Sequence, residues 1–186
     1  MQLILGSKSP RRKELLALIG YDFEIRTKET DESYPESLSV EEIAPFIANK
    51  KASDLLPTLT TDEVVLCADT IVVLGNQILG KPENAKKAIE MLSLLSGKEH
   101  HVITGVVIAS ISKKVVFSVQ TLVKFKELSI ANIENYVATY KPFDKAGSYG
   151  IQEFIGAIGI ERIQGSYNNV VGLPTAEVFE ALKSFE

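Results

Sequence analysis

The chain opens with three apolar residues, Leu3-Ile4-Leu5, that stop at Gly6; from Pro10 the apolar positions recur at Leu15, Leu16, Leu18 and Ile19. The first run reads as a strand. The second reads as a helix with Ser9 as N-cap and Pro10 at its first position, where the missing N–H costs nothing. Asp22 to Arg26 reads as another short strand, and an acidic run, Glu29-Thr30-Asp31-Glu32, follows. Ser39 with Glu42 three residues on forms a capping box. The helix it starts buries Ile43, Phe46 and Ile47, passes Lys50 and Lys51, and ends at Pro57.

Val64 to Leu74 is apolar except for Asp69 and Thr70, and Gly75-Asn76 turns it into Gln77-Ile78-Leu79 as a hairpin. Gly80-Lys81-Pro82-Glu83 then opens a helix that runs to Leu95 and stops at Gly97. His101 to Ile111 and Val115 to Phe125 read as an antiparallel pair, and a helix runs from Ser129 to about Tyr140. Between Lys141 and Gly172, glycines and aromatics are dense enough to suggest backbone close to a ligand or a tight strand crossing. A last helix starts at Pro174. Strands alternating with helices, and hairpins among them, predict an α/β fold with a mixed sheet.

Composition narrows the function. The 186 residues fit one domain, or one domain with two lobes. At 45% hydrophobic and 24% charged, the chain can bury a core and is not disordered. A net charge of −4 and a pI near 5.4 exclude broad electrostatic binding to nucleic acid, so any contact with a polyanion must be local. The single cysteine, Cys67, sits in an apolar strand and reads as core; it allows no internal disulfide and fits a reducing cytoplasm. The first apolar run is too short for a signal peptide, and no run is long enough to span a bilayer. These readings predict a soluble cytoplasmic protein.

Three features carry chemistry. Arg11, Arg12 and Lys13 occupy the first turn of the first helix, where free N–H groups and the macrodipole already make the end positive. Cations there make sense if a multiply charged anion fills the strand-to-helix turn; the alternative is a solvated basic face. The turn is not a Walker A loop, since the Gly-Lys-Ser/Thr ending is absent. Second, Asp69 breaks an apolar run, so it must be paired, bind a metal or sit at a strand end. Third, Asp31 and Glu32 are adjacent on an extended segment and point apart, so at most one enters a given site. With Asp69 it could hold Mg²⁺. Lys51, Lys81 and Lys145 lie at element boundaries, where they could neutralise a polyphosphate together with Arg11 and Arg12. His100 and His101 are adjacent on a strand and cannot both ligate one metal. Ser7 and Ser9 lack an evident histidine partner.

Read together, Ser7-Lys8-Ser9-Pro10-Arg11-Arg12, Asp31-Glu32, Lys51-Ala52, Ala68-Asp69-Thr70, Gly80-Lys81-Pro82, Thr104-Gly105-Val106, Lys145 through Gln152 and Gly165 through Pro174 resemble the Maf family of nucleoside triphosphate pyrophosphatases. The resemblance spans nearly the whole chain in order. It implies a single Maf-like domain over residues 1–186, an elongated mixed β-sheet with flanking helices, two lobes around a central cleft as in inosine triphosphatases, and a homodimer. It also implies hydrolysis of a nucleoside triphosphate to monophosphate and pyrophosphate with a divalent cation, Mg²⁺ or Mn²⁺. Tyr149-Gly150-Ile151-Gln152 is similar to the subfamily acting on dTTP and UTP, in which the residues matching Arg12, Thr70 and Gln152 are associated with substrate choice and that matching Asp69 with proton acceptance. On this reading Ser7, Ser9, Arg11, Arg12, Lys51, Thr70, Lys81, Lys145 and Gln152 bind substrate, and Glu32 and Asp69 bind the metal. The family usually has glycine where this chain has Glu153. The rival readings are a pyrophosphatase for another or modified nucleotide such as 7-methyl-GTP, and a non-catalytic nucleotide-binding regulator of septum formation.

Overall fold

The computed structural model describes residues 1–186. β1 (Gln2–Leu5), α1 (Pro10–Leu18) and β2 (Phe23–Ile25) form a strand-helix-strand unit whose strands pair in parallel, with Leu3 opposite Phe23. α2 (Val40–Leu55) starts at the predicted Ser39–Glu42 box, in which the Ser39 N–H donates to Glu42 Oε2 at 2.9 Å. A 3₁₀ turn over Leu56–Thr58 carries Pro57 and leads to β3 (Glu63–Leu74), parallel to β1 with Leu3 opposite Val64. β4 (Gln77–Leu79) folds back antiparallel on β3 across a turn at Gly75, completing the predicted hairpin.

α3 (Ala85–Leu95) begins later than the sequence pattern suggested. Its N-cap is Asn84, whose side chain accepts from the Lys87 N–H at 3.0 Å. Asparagine outranks anything in Gly-Lys-Pro-Glu as a cap, so those four residues remain a loop. β5 (Glu99–Ala109) and β6 (Lys114–Phe125) are neighbours, and α4 (Ile130–Tyr140) is capped by Ser129 as expected. The glycine-rich segment holds more regular structure than its composition suggested: α5 (Phe154–Gly159), β7 (Ile160–Gln164) and α6 (Tyr167–Val171) precede α7 (Thr175–Lys183). The five residues of β7 are mostly exposed, so no buried alternation marked them. The result is a seven-stranded mixed sheet in the order β2-β1-β3-β5-β6-β7, with β4 on β3, and flanking helices.

The chain divides into two units: Met1–Thr70, Thr104–Val119 and Gly172–Glu186 in the first, Ile71–Ile103 and Gln120–Val171 in the second. In the first, Ile4, Val65 and Val107 from three strands pack with Ala48, Ala52 and Leu55 of α2. In the second, α3 and α4 cover Val72, Val102, Val123 and Phe125. Leu92 and Leu95 of α3 are completely buried there, which contributes about 1.5–3 kcal/mol each. No helix is long and apolar enough to cross a membrane.

Candidate active site

In the first unit, β1 delivers the chain to a tight turn. Gly6 lies so close to β3 and α2 that a Cβ there would sit 2.3 Å from Cys67 Sγ, which only glycine avoids. Ser7 is buried, and its Oγ accepts from the Ser9 N–H at 3.2 Å. Ser9 caps α1 through the Arg12 N–H at 3.5 Å, a long bond, and Pro10 takes the first helical position. Arg11 and Arg12 are half-buried at this helix start, and Lys8 is exposed.

The Arg12 guanidinium is built into the fold rather than displayed from it. Nε donates to the Gly172 carbonyl at 2.9 Å, one terminal nitrogen to Thr70 Oγ1 at 3.1 Å and the other to Ser7 Oγ at 3.4 Å. Thr70 in turn shares a 2.9 Å bond with Thr104 Oγ1. Burial pulls the Arg12 pKa down and the Asp69 charge opposes it, so the group stays cationic. Cations at this helix end are therefore offset in part by protein acceptors. The solvated basic face is excluded for Arg12.

Asp69 and Thr70 are neighbours in β3, and the strand's period of two sends their side chains to opposite faces. Asp69 shares its face with Val65 and Cys67, which pack on α2, and there it meets Lys51: Nζ lies 2.6 Å from Asp69 Oδ1. The same ammonium lies 2.7 Å from Glu32 Oε1. Asp69 thus sits in mid-strand, not at a strand end, and its charge is paired. The adjacent carboxylates diverge as period-two geometry requires. Asp31 turns to Ser33 and to Lys50 Nζ at 3.0 Å, whose hydrogen bonds hold its carboxyl well below the ordinary range, while Glu32 joins Lys51 and Asp69. Cys67 is core: burial pushes its thiol up to about 12.

Glu32 and Asp69 place one oxygen each against a single ammonium, so those oxygens are no further apart than two short bonds laid end to end. Carboxylates are the hard oxygen donors that a divalent cation takes, with water and substrate phosphate for the rest of its shell. No group of three or more histidine, cysteine or carboxylate side chains offers an all-protein metal cage. Lys51, with two donors directed at carboxylates, has one of its three for an anion.

The second unit holds Lys81, Lys145 and Gln152. The Gly147 N–H donates to the Gly80 carbonyl at 3.1 Å, which ties the Lys81 loop to the Lys145 loop. Lys81 is exposed; Lys145 is buried, 2.8 Å from Asp144 Oδ1 and 3.2 Å from Glu153 Oε1. Gly147 and Ser148 both have positive φ, and the Ser148 hydroxyl donates to Met91 Sδ at 3.1 Å. Gln152 is exposed at the tip of a turn closed by the Glu153 N–H donating to the Gly150 carbonyl at 3.0 Å.

Three partners escaped the sequence reading as site residues. Thr104 and the Gly172 carbonyl, which engage Thr70 and Arg12, lay inside recognised motifs but carried no chemical signal of their own. Tyr136, which bonds both Gly150 and Glu153, is an unremarkable aromatic at a buried helical position.

Set beside known proteins, the chain matches the family model described as "Maf-like protein" over residues 2–185. It is 49% identical to a protein of Phocaeicola vulgatus named dTTP/UTP pyrophosphatase, covering 98% of this chain and 95% of that one. A protein of the same name from Parabacteroides distasonis is 47% identical over 99% of this chain and 96% of its own. Among solved structures, the Staphylococcus aureus Ham1 protein gives a TM-score of 0.48 at 12% identity over 67% of this chain and 72% of that one, a likeness too slight to bear on the fold. A match that runs from the first strand to the last helix, with near-half identity along it, makes this chain a member of the Maf family.

Proposed function

We propose that this chain is a nucleoside triphosphate pyrophosphatase that prefers dTTP and UTP, releasing pyrophosphate and the nucleoside monophosphate. The observation that carries it is the convergence of Glu32 and Asp69 on Lys51 in a chain that aligns end to end with proteins named dTTP/UTP pyrophosphatase. In this reading Asp69 takes a proton from water as the water oxygen attacks the α-phosphorus. The bond from that phosphorus to the β-bridging oxygen breaks, and pyrophosphate leaves with the electron pair. Arg11, Arg12, the Lys51 donor not directed at a carboxylate, and the N–H groups at the Ser7–Ser9 turn and the start of α1 bind phosphate oxygens and offset charge on the leaving group. Lys81 and Lys145 are further phosphate ligands, and Gln152 reads the base through its amide. A divalent cation on Glu32 and Asp69 would polarise the phosphate and neutralise its charge.

The reading includes cytoplasmic residence and a homodimer. The dimer is tested by sedimentation. The activity is tested with dTTP, UTP, CTP and GTP in Mg²⁺, scoring pyrophosphate against inorganic phosphate. Pyrophosphate in equal amount to monophosphate, abolished by EDTA, is expected. Release of single phosphates with a diphosphate product refutes the cleavage site, and full activity in EDTA refutes the metal.

A further inference from the structure

The side chain of Glu153 is held within the protein. As N-cap of α5 its carboxylate makes no bond to that helix. It turns back instead: Oε2 accepts from the Tyr136 hydroxyl, and Oε1 pairs with Lys145 at 3.2 Å. The Tyr136 oxygen accepts from the buried Gly150 N–H at 3.0 Å, and the Glu153 N–H donates to the Gly150 carbonyl at 3.0 Å. The turn Gly150-Ile151-Gln152-Glu153 is thus pinned at both ends by one phenol. Gly150 makes this possible, because a Cβ there would lie 2.7 Å from Glu153 Cδ. Tyr136 is completely buried, and burial raises its pKa, so it stays a protonated donor.

From this closed ring we infer that Tyr136 and Glu153 are positioning residues, Tyr136 holding the turn that presents Gln152 and Glu153 holding the Lys145 ammonium. The role assigned to the turn rests on the pyrophosphatase reading above. It also rejects Glu153 as a reader of the base, since both its oxygens are committed within the protein. A carboxylate held by both a phenol and an ammonium contributes order to the turn.

The test compares Tyr136→Phe and Glu153→Gln with the full-length wild type by two independent readouts. Hydrogen exchange over residues 149–153 reports the ring whether or not the protein turns over nucleotide. Steady-state kinetics with dTTP, UTP, CTP and GTP in Mg²⁺ reports its use. Tyr136→Phe should speed exchange of the Gly150 amide at least tenfold and narrow the preference for dTTP over CTP about fivefold. The loss should fall mainly in KM, with kcat within about threefold. Glu153→Gln keeps an acceptor for Tyr136 but drops the charge on Lys145, so KM should shift together for all four substrates by more than threefold while their ranking stands. Unchanged exchange in Tyr136→Phe overturns the ring. Faster exchange with an unaltered substrate ranking reduces it to a structural brace and overturns the proposal. A ranking reordered by Glu153→Gln would restore Glu153 as a base reader. A wild type that hydrolyses none of the four, with exchange responding as expected, refutes the pyrophosphatase reading and leaves the ring standing.

Discussion

Two lysines in this molecule are each flanked by two carboxylates, and the two clusters differ in what else those carboxylates hold. Lys51 meets Glu32 and Asp69. Lys145 meets Asp144 and Glu153. The inventories of charge are identical. At Lys145, however, Glu153 commits its second oxygen to Tyr136 and Asp144 is a sequence neighbour largely in solvent, so the pair stabilises a turn. At Lys51 the carboxylates come from a loop and a mid-sheet strand, chain segments that meet only through the fold. The lesson is that ion pairing alone does not mark an active site; which chain segments the pair brings together must be read with it.

Asp69→Asn tests the first pair most severely. It keeps volume and removes charge and basicity, so kcat for dTTP should fall by on the order of 10²–10⁴ with the thermal midpoint little changed. Near-wild-type turnover, measured by pyrophosphate release, would make the Lys51 cluster structural and refute its place in the reaction.

The second prediction probes the packing under the Lys145 turn. His100 is buried, and its Nε2 lies 2.7 Å from the hydroxyl of Tyr149, next to Gly150. Burial lowers its pKa to about 4, below the value of an unfolded histidine. The folded state therefore refuses a proton that the unfolded state accepts between those values. Stability is full above about pH 6.5 and falls as pH drops toward 4, by on the order of 3 kcal/mol. Urea unfolding at pH 7.5 and 4.5 should show the fall, and His100→Gln should flatten it. A mutant with the same pH slope would assign the effect elsewhere.

Arg12→Ala sharpens the comparison differently. A cation leaving a helix N-terminus should cost the unliganded protein little or even stabilise it, if the helix alone is considered. The structure reverses that expectation, because Gly172, Thr70 and Ser7 all lose a donor. Loss of about 1–3 kcal/mol of stability is expected without ligand, together with a fall in kcat/KM equivalent to about 1.5–3 kcal/mol. Unfolding and kinetics measured on one preparation decide this; a change in kinetics alone would mean the three bonds contribute nothing.

The smallest effect belongs to Gln152→Ala. Gln152 is exposed, so water can replace a lost bond, and the dTTP preference over CTP should shrink by only about two- to tenfold. A larger loss would mean the turn becomes buried when nucleotide binds.

Local chemistry was enough to read much of this protein. Ser9 and Pro10, the Ser39–Glu42 box, Ser129, the Gly75 turn and the divergence of Asp31 from Glu32 all follow from neighbours within four residues, where backbone geometry leaves few options. The sequence also marked Asp69 as a residue that must find a partner, since a lone carboxylate among apolar neighbours is too costly to bury. It could not say which partner. That Lys51 rather than Lys50 meets Asp69, that Arg12 bonds a carbonyl 160 positions away, and that Tyr136 closes on Gly150 and Glu153 depend on sheet order and helix rotation. Those are set by the burial of many apolar groups at once, and a hydrogen bond of about 1 kcal/mol follows their arrangement instead of dictating it.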